Sequence, residues 1–190
     1  MSVLTLATQR MRLVASTAEL VRAEMHDRTE FARLLDARVP STWPTDEAAD
    51  ALPWFLERLE RADPQDVGWY GFYGVVATGV EDAPVLVGGG GCLGPPVDGS
   101  VEVGYSVLPA FQRQGYATEM MTAVLDWVSR DPRVVQITAE TAGDNVASRR
   151  LLSNLGFHEA GPGREPDTVK YSRTEMASRP NDRAEVSDGG

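Results

Sequence analysis

The sequence predicts one α/β (α+β) domain: a mixed, mostly antiparallel central sheet of about seven strands with helices on both faces. Three observations carry this reading. Strand-like and helix-like periodicities alternate along residues 1–176 in the order β-α-α-β-β-β-α-β-α-β-β. Three strand-like runs follow one another between residues 68 and 108 with turn residues between them, the pattern of a meander. Beyond them strands and helices alternate, which calls for a crossover and a parallel pairing inside the same sheet. With 190 residues the chain can bury a sizeable single core.

The elements follow in order. Leu6, Met11, Leu13 and Val14 alternate loosely with polar neighbours and predict an opening strand over 11–14. Ser16 and Thr17 suit an N-cap. Leu20, Val21, Met25, Phe31, Leu34 and Leu35 then recur near helical spacing until Pro40 closes the region, with room for a break at 26–29. Thr45 starts a further helix with Glu47 at N2 or N3. Its apolar stripe is Ala51, Leu52, Phe55, Leu56 and Leu59, and Pro53 marks its first turn or a kink.

Aromatic and β-branched residues over 68–77 predict a strand, a turn follows at 79–82, and a second strand covers 83–93. The glycine run 88–91 lacks the Gly-Lys-Ser/Thr ending and the following helix of a phosphate loop, so a bulged, closely approached strand is expected there. The third strand of the meander covers 101–108. A helix over 117–130 has Met120, Met121, Val124, Leu125 and Val128 on one face and stops at Asp131-Pro132. Residues 134–141 alternate as a strand. Asp144-Asn145 cap a short helix over 146–154 that Gly156 ends, and strands over 157–160 and 168–173 flank a turn at Gly161-Pro162-Gly163. Residues 177–190, rich in Pro, Asp, Ser and Gly, are expected to be a disordered tail.

Composition narrows the function. A net charge of -10, from 18 Lys+Arg against 28 Asp+Glu, argues against nucleic acid or an anionic membrane as partner and tolerates a cationic or amine substrate. Cys92 is the only cysteine, so no disulfide within the chain and no multi-cysteine metal site is expected. His26 and His158 lie far apart, and no metal is expected. No signal-peptide core and no run of about 18 apolar residues is present, so the expected location is cytoplasmic. The expected state is a monomer or homodimer.

The pivot is Gln112-Arg113-Gln114-Gly115-Tyr116-Ala117, where a strand hands over to a helix. The first amides of a helix have no intrahelical partner and the helix dipole adds positive charge, so a phosphate can be held there without side chains. Gly115 removes a Cβ that would keep a ligand away, and Arg113 can add a fixed charge.

Gln112-x-x-Gly115-x-Ala117 resembles the Gln/Arg-x-x-Gly-x-Gly/Ala signature of the GNAT superfamily of acyl-coenzyme A dependent N-acyltransferases. The strand before it, with Glu102-Val103-Gly104-Tyr105 and Leu108-Pro109, extends the resemblance. So do Thr118-Glu119 after it, Asn145-x-x-Ser148, and Leu155-Gly156-Phe157. Together they resemble the branch that includes the ribosomal-protein alanine N-acetyltransferases, over roughly residues 5–175. The resemblance implies a V-shaped opening between the strand ending at Leu108 and the one starting at Val134, with acetyl-coenzyme A lying in it as cosubstrate.

It also implies roles. The amides of Gln112, Arg113, Gln114, Gly115, Tyr116 and Ala117, with Thr118 beside them, would hold the pyrophosphate. The backbone of Val107 and Leu108 would hold the pantetheine arm and polarise the thioester carbonyl. Asn145 would bond the arm, or cap its helix, or both. Family members often carry a Tyr acid four residues before the Gly-Phe pair, where this chain has Leu152; in the resembled branch the Ser of Asn-x-x-Ser is the candidate proton donor, here Ser148, with a plain helix-surface or first-turn role as the alternative. Glu102 is the candidate base, acting through water, with a salt-bridge role as the alternative. Tyr105, three residues on, points to the opposite face unless a bulge intervenes, and the family has such a bulge. Trp43, Trp54 and Tyr105 are candidate acceptor contacts, with packing as the alternative for both Trp residues. The expected function is acetyl transfer to a primary amine by direct attack on the thioester. The alternative is a non-catalytic or regulatory acyl-coenzyme A binding domain.

Overall fold

The structure, a computed structural model, describes residues 3–77 and 83–175; the predicted turn at 79–82 and tail at 177–190 lie outside them. A hairpin of β1 (Thr5–Ala7) and β2 (Met11–Ala15) opens the chain. Thus β2 is the predicted opening strand, and the loose alternation before it is a short strand of its own. Two helices follow, α1 (Ala18–His26), capped by Thr17, and α2 (Arg28–Leu35). Asp27 makes the break between them. Its N–H closes α1 on the Ala23 carbonyl, while its carboxylate accepts from the Thr29 and Glu30 amides that open α2.

Helix α3 (Asp46–Arg61) begins at Thr45 and contains Pro53, which cannot donate the bond that would run to Ala49. The meander comprises β3 (Phe72–Val76), β4 (Val85–Cys92) and β5 (Ser100–Val107). β3 is shorter than its predicted 68–77, because Gly68 (φ 99°) and Gly71 (φ 88°) hold the residues before it in turns. Helix α4 (Tyr116–Val128), β6 (Gln136–Ala142) and α5 (Val146–Asn154) follow, then β7 (His158–Pro162) and β8 (Thr168–Thr174). Gly161 and Pro162 finish β7 rather than forming the predicted turn, which lies beyond them.

All eight strands form one sheet in the order β1-β2-β3-β4-β5-β6-β8-β7, antiparallel except between β5 and β6. The apolar stripe of α4 buries Met120, Met121, Val124, Leu125 and Val128 on one face, against Met11, Leu13, Val101, Val103 and Ile137, and Leu152 of α5 joins the same core. Burying a side chain of this size is worth about 1.5–3 kcal/mol. On the other face Leu20, Phe31 and Leu35 of α1 and α2 pack on Val14, Tyr73, Val75 and Leu86. A strand covered on both sides reads as a continuous apolar run, as β3 does. Among the described residues, no helix is long and apolar enough to cross a membrane.

Candidate active site

The site begins where the sheet fails to pair. β5 and β6 pair in parallel only at Ser100–Gln136, Val101–Ile137 and Glu102–Thr138. Beyond Glu102, β5 is paired only on its far side, with β4, and β6 only with β8, so the two strands part in a V. Ladder parity then assigns the backbone of β5. The Glu102 carbonyl accepts from the Leu93 N–H and the Leu108 N–H donates to the Val87 carbonyl, both toward β4. The alternate residues Val103, Tyr105 and Val107 therefore turn their backbone groups toward the opening.

That parity divides the pair expected to polarise a thioester. Leu108 is buried and its N–H is committed to Val87, while the N–H of Val107 faces the opening. The Gln112 side chain donates to the Val107 carbonyl at 2.9 Å, so Gln112 shapes the loop through its side chain. The bulge that the resemblance implies in β5 is not there: its register on β4 is continuous from Val103 to Val107. The register shift is one strand over, where Gly74 faces Gly88 and Val75 faces Leu86. Tyr105 and Glu102 accordingly lie on opposite faces.

At the end of β5 the chain reaches the start of α4. Gly115 is its N-cap with φ 84°, and no side chain caps the helix, so the amides of Tyr116, Ala117 and Thr118 precede the first intrahelical bond, from Glu119 N–H to the Gly115 carbonyl. Arg113 (φ 58°) and Gln114 are exposed on the same loop. Arg10 holds the loop from behind, a role absent from the sequence reading. Its guanidinium donates to the Gln114 carbonyl (3.0 Å) and to Glu119 (2.7 Å) and lies 4.4 Å from the centre of the Tyr116 ring. Burial raises the Glu119 pKa, but hydrogen bonds from Thr8 and Arg10 outweigh it and the net shift is downward. A Cβ on Gly115 would meet Arg10 at 3.2 Å.

Across the V stands the first turn of α5. Asn145 caps it by accepting from the Ser148 N–H at 3.0 Å. Among the described residues the Asn145 Nδ2 has no partner, so capping and ligand binding are compatible. The Ser148 hydroxyl lies 2.7 Å from the Tyr105 phenol, a bond that joins β5 to α5 over the opening. Burial raises the Tyr105 pKa by more than that bond lowers it, so the phenol keeps its proton at neutral pH. Leu152 is fully buried in the core and offers nothing to the opening.

Glu102 is held by Arg164, which also bonds Glu140 at 3.2 Å. It stands at the closed end of the V, in the salt-bridge role that the sequence left as its alternative.

A second space lies on the α1–α3 side of the sheet: a cavity of about 220 Å³ floored by Gly89, Gly90 and Gly91. Its walls include Val21 and Glu24 of α1, Ala51, Leu52 and Phe55 of α3, Trp43, Tyr73, and Gly104, Tyr105 and Ser106 of β5. The glycine run serves close approach, since a Cβ on Gly89 would meet the Trp43 ring at 3.3 Å and one on Gly90 would meet Tyr105 at 2.8 Å. Glu24 was not singled out from sequence. One oxygen accepts from Trp43 Nε1 (2.6 Å) and the other from the Tyr73 hydroxyl (2.5 Å). Burial pushes its pKa up to about 7 against the lowering effect of those bonds. No pattern in the chain marks it, because Trp43 and Tyr73 are distant in sequence.

The other expected acceptor contact, Trp54, lies on the outer surface of α3, stacked on Arg58 at 3.6 Å, and does not line the cavity. Cys92 lines the cavity but is fully buried, and burial drives its thiol pKa far up, which leaves it protonated and unreactive. Tyr171 is core and accepts a hydrogen bond from Arg149 at 3.1 Å.

Solved structures share this architecture. A ribosomal L7/L12 alpha-N-protein acetyltransferase, RimL, in complex with coenzyme A superposes with a TM-score of 0.61 at 15% identity, over 92% of this chain and 99% of that one. A ribosomal-protein-S5-alanine acetyltransferase from Vibrio fischeri gives 0.59 at 17%, over 93% and 100%. In sequence, an uncharacterized N-acetyltransferase from Bacillus subtilis, YoaA, is 35% identical over 60 residues, which is 32% of this chain and about a third (34%) of that protein. The Acetyltransferase (GNAT) domain profile matches residues 11–158, from β2 through α5 to the start of β7. That span covers the V, the uncapped start of α4 and the cap of α5, and the chain accordingly belongs to the GNAT acetyltransferase family.

Proposed function

We propose that this protein is an N-acetyltransferase that moves an acetyl group from acetyl-coenzyme A to a primary amine, of a small molecule or a protein N-terminus, by direct attack on the thioester. The observation that carries the proposal is the V between β5 and β6, with the uncapped amides of α4 at the end of β5. Acetyl-coenzyme A would supply an activated acyl group there; the other roles belong to the chain. The amides around Gly115 would bind the pyrophosphate, with Arg113 adding charge and Arg10 holding the loop in shape. The free Nδ2 of Asn145 would donate to the pantetheine amides. The N–H of Val107 would donate to the thioester oxygen as negative charge develops there.

The proton for the departing sulfur would come from the Tyr105–Ser148 pair. A thiolate leaves readily and needs little help, so a phenol that stays protonated at neutral pH suffices. No covalent enzyme intermediate is required, consistent with an inert Cys92. A thioester-consumption assay over amines, peptides and aminoglycosides tests this reading. Turnover on an amine supports it, and tight coenzyme A binding without turnover on any acceptor would replace it with a binding or regulatory role.

A further inference from the structure

The cavity between α1, α3 and the glycine run belongs to the acceptor half of the reaction if the acetyl-transfer reading of the V is right, and what it contains narrows the acceptor. Of the residues that line it, Glu24 is the one with a charged side chain; the others are apolar, glycine, or neutral hydroxyl, thiol and indole groups. The groups around its carboxyl come from three elements. Trp43 precedes α3, Tyr73 lies on β3, and Ser16 precedes α1, while Tyr70, Cys92 and Tyr105 complete the ionisable groups of the lining. None of these is a cation. Unlike Glu102, which has Arg164, Glu24 is half-buried with no positive partner among the described residues.

We propose that Glu24 binds the ammonium of the acceptor and removes its proton, and that the acceptor is a compact primary amine on an apolar body. A carboxylate partly out of water and without a counter-ion is a site that a cation completes. Trp43 and Tyr73 fix its orientation with one donor on each oxygen, which leaves a further lone pair on each for the ligand. The cavity runs from Glu24 to Gly104, Tyr105 and Ser106, adjoining Val107, so an amine that enters beside Glu24 is led to the strand where the acetyl group would lie. A space of about 220 Å³ with walls of Val21, Leu52, Phe55 and Trp43 admits an aryl or branched alkyl group and excludes a large polycation.

The proton step balances within the pair: the ammonium N–H bond breaks, the proton moves to a Glu24 oxygen, and the nitrogen keeps the electron pair. Glu24 then returns that proton to solvent. A carboxyl near 7 facing an alkylammonium of pKa about 10.4 works against a gap of about three orders of magnitude, rather than about six for an unperturbed Glu.

The test uses phenethylamine and its neutral isostere 2-phenylethanol. Calorimetry on the native protein should show binding of the amine but not of the alcohol, and Glu24→Gln, which keeps the shape and a partner for both Trp43 and Tyr73, should lose that preference. In turnover, Glu24→Gln should lower kcat/KM for the amine by about 10²-fold or more and erase the limb of the pH profile near 7, with unchanged coenzyme A affinity. Equal binding of amine and alcohol, or a Glu24→Gln variant with the native preference and pH profile, overturns the proposal. A native protein that discriminates the two through Glu24 yet consumes no thioester supports the ammonium site and overturns the acetyl-transfer reading alone.

Discussion

The V between β5 and β6 and the cavity under α1 and α3 are built from different materials. The V is mostly backbone: the N–H of Val107, the amides after Gly115, and one amide side chain at Asn145. The cavity is mostly side chains brought together from α1, the Trp43 loop, β3 and α3 around a single carboxyl. Backbone donors serve any chain that keeps the turn, which suits a cosubstrate of fixed chemistry. Side chains change one residue at a time, which suits a specificity that differs between relatives.

Substitutions that strike one region and spare the other test this division. The largest effect is expected for Gly115→Val. At φ 84° a β-branched side chain strains the turn, and its Cβ meets Arg10. Losing about two charge-assisted hydrogen bonds predicts a 10²- to 10⁴-fold fall in coenzyme A affinity by calorimetry, with phenethylamine binding unchanged. Loss of both would mean that the regions are not independent.

Next in size is the stability cost of Glu24. Its folded pKa, about 7, lies above the unfolded 4.5, so the folded state holds the proton more tightly and loses stability as pH rises between those values. The penalty is absent below about 4.5 and complete above about 7, at about 3 kcal/mol. Urea unfolding should therefore find Glu24→Gln more stable than the native protein at pH 8 and equal to it near pH 4.5. An equal midpoint at pH 8 would mean that Glu24 ionises without penalty.

Tyr105→Phe should lower kcat by about 10²-fold, the low end for proton donation because the thiolate leaves readily, while coenzyme A affinity stays within about threefold. A matching loss of affinity would make Tyr105 a binding group. The smallest effect separates the two roles of Asn145. Asn145→Asp keeps an oxygen for the Ser148 N–H and removes the free donor, so thermal stability should hold while coenzyme A affinity falls by about tenfold.

The same division decides what could be read from the chain. The backbone turns beside the V were legible because local sequence dictates them. Gly115 at a strand-to-helix junction and Asn145 before a periodic run each announce a backbone conformation within a few residues. The fold was legible for the same reason, down to the break at Asp27 and the ends of α5. What periodicity could not give was which neighbour each ladder bond takes, so the commitment of the Leu108 N–H to Val87 stayed hidden. Glu24 was hidden more deeply: on α1 it reads as another polar residue, and only β3 and the Trp43 loop, folded against it, take it out of water. Glu102 shows the converse. Its place on a central strand was legible, but not the ion-pair strut that Arg164 forms with it from 62 positions on.

That strut has a mechanical consequence. Among the described residues the two halves of the sheet pair over three positions, with the bond from the Val135 N–H to the Gly99 carbonyl beside them, all at the vertex of the V. Such a seam is a flexure: changing the angle between the plates strains few hydrogen bonds, each worth about 0.5–1.5 kcal/mol, and leaves both outer ladders whole. Arg164 ties Glu102 on one plate to Glu140 on the other and so acts as a spring across the vertex. Its stiffness, rather than a rigid wall, would then limit the length of acyl chain the jaws accept, and Arg164→Ala should narrow the kcat/KM gap between acetyl- and propionyl-coenzyme A. An unchanged ratio would put the limit in the side chains that line the jaws.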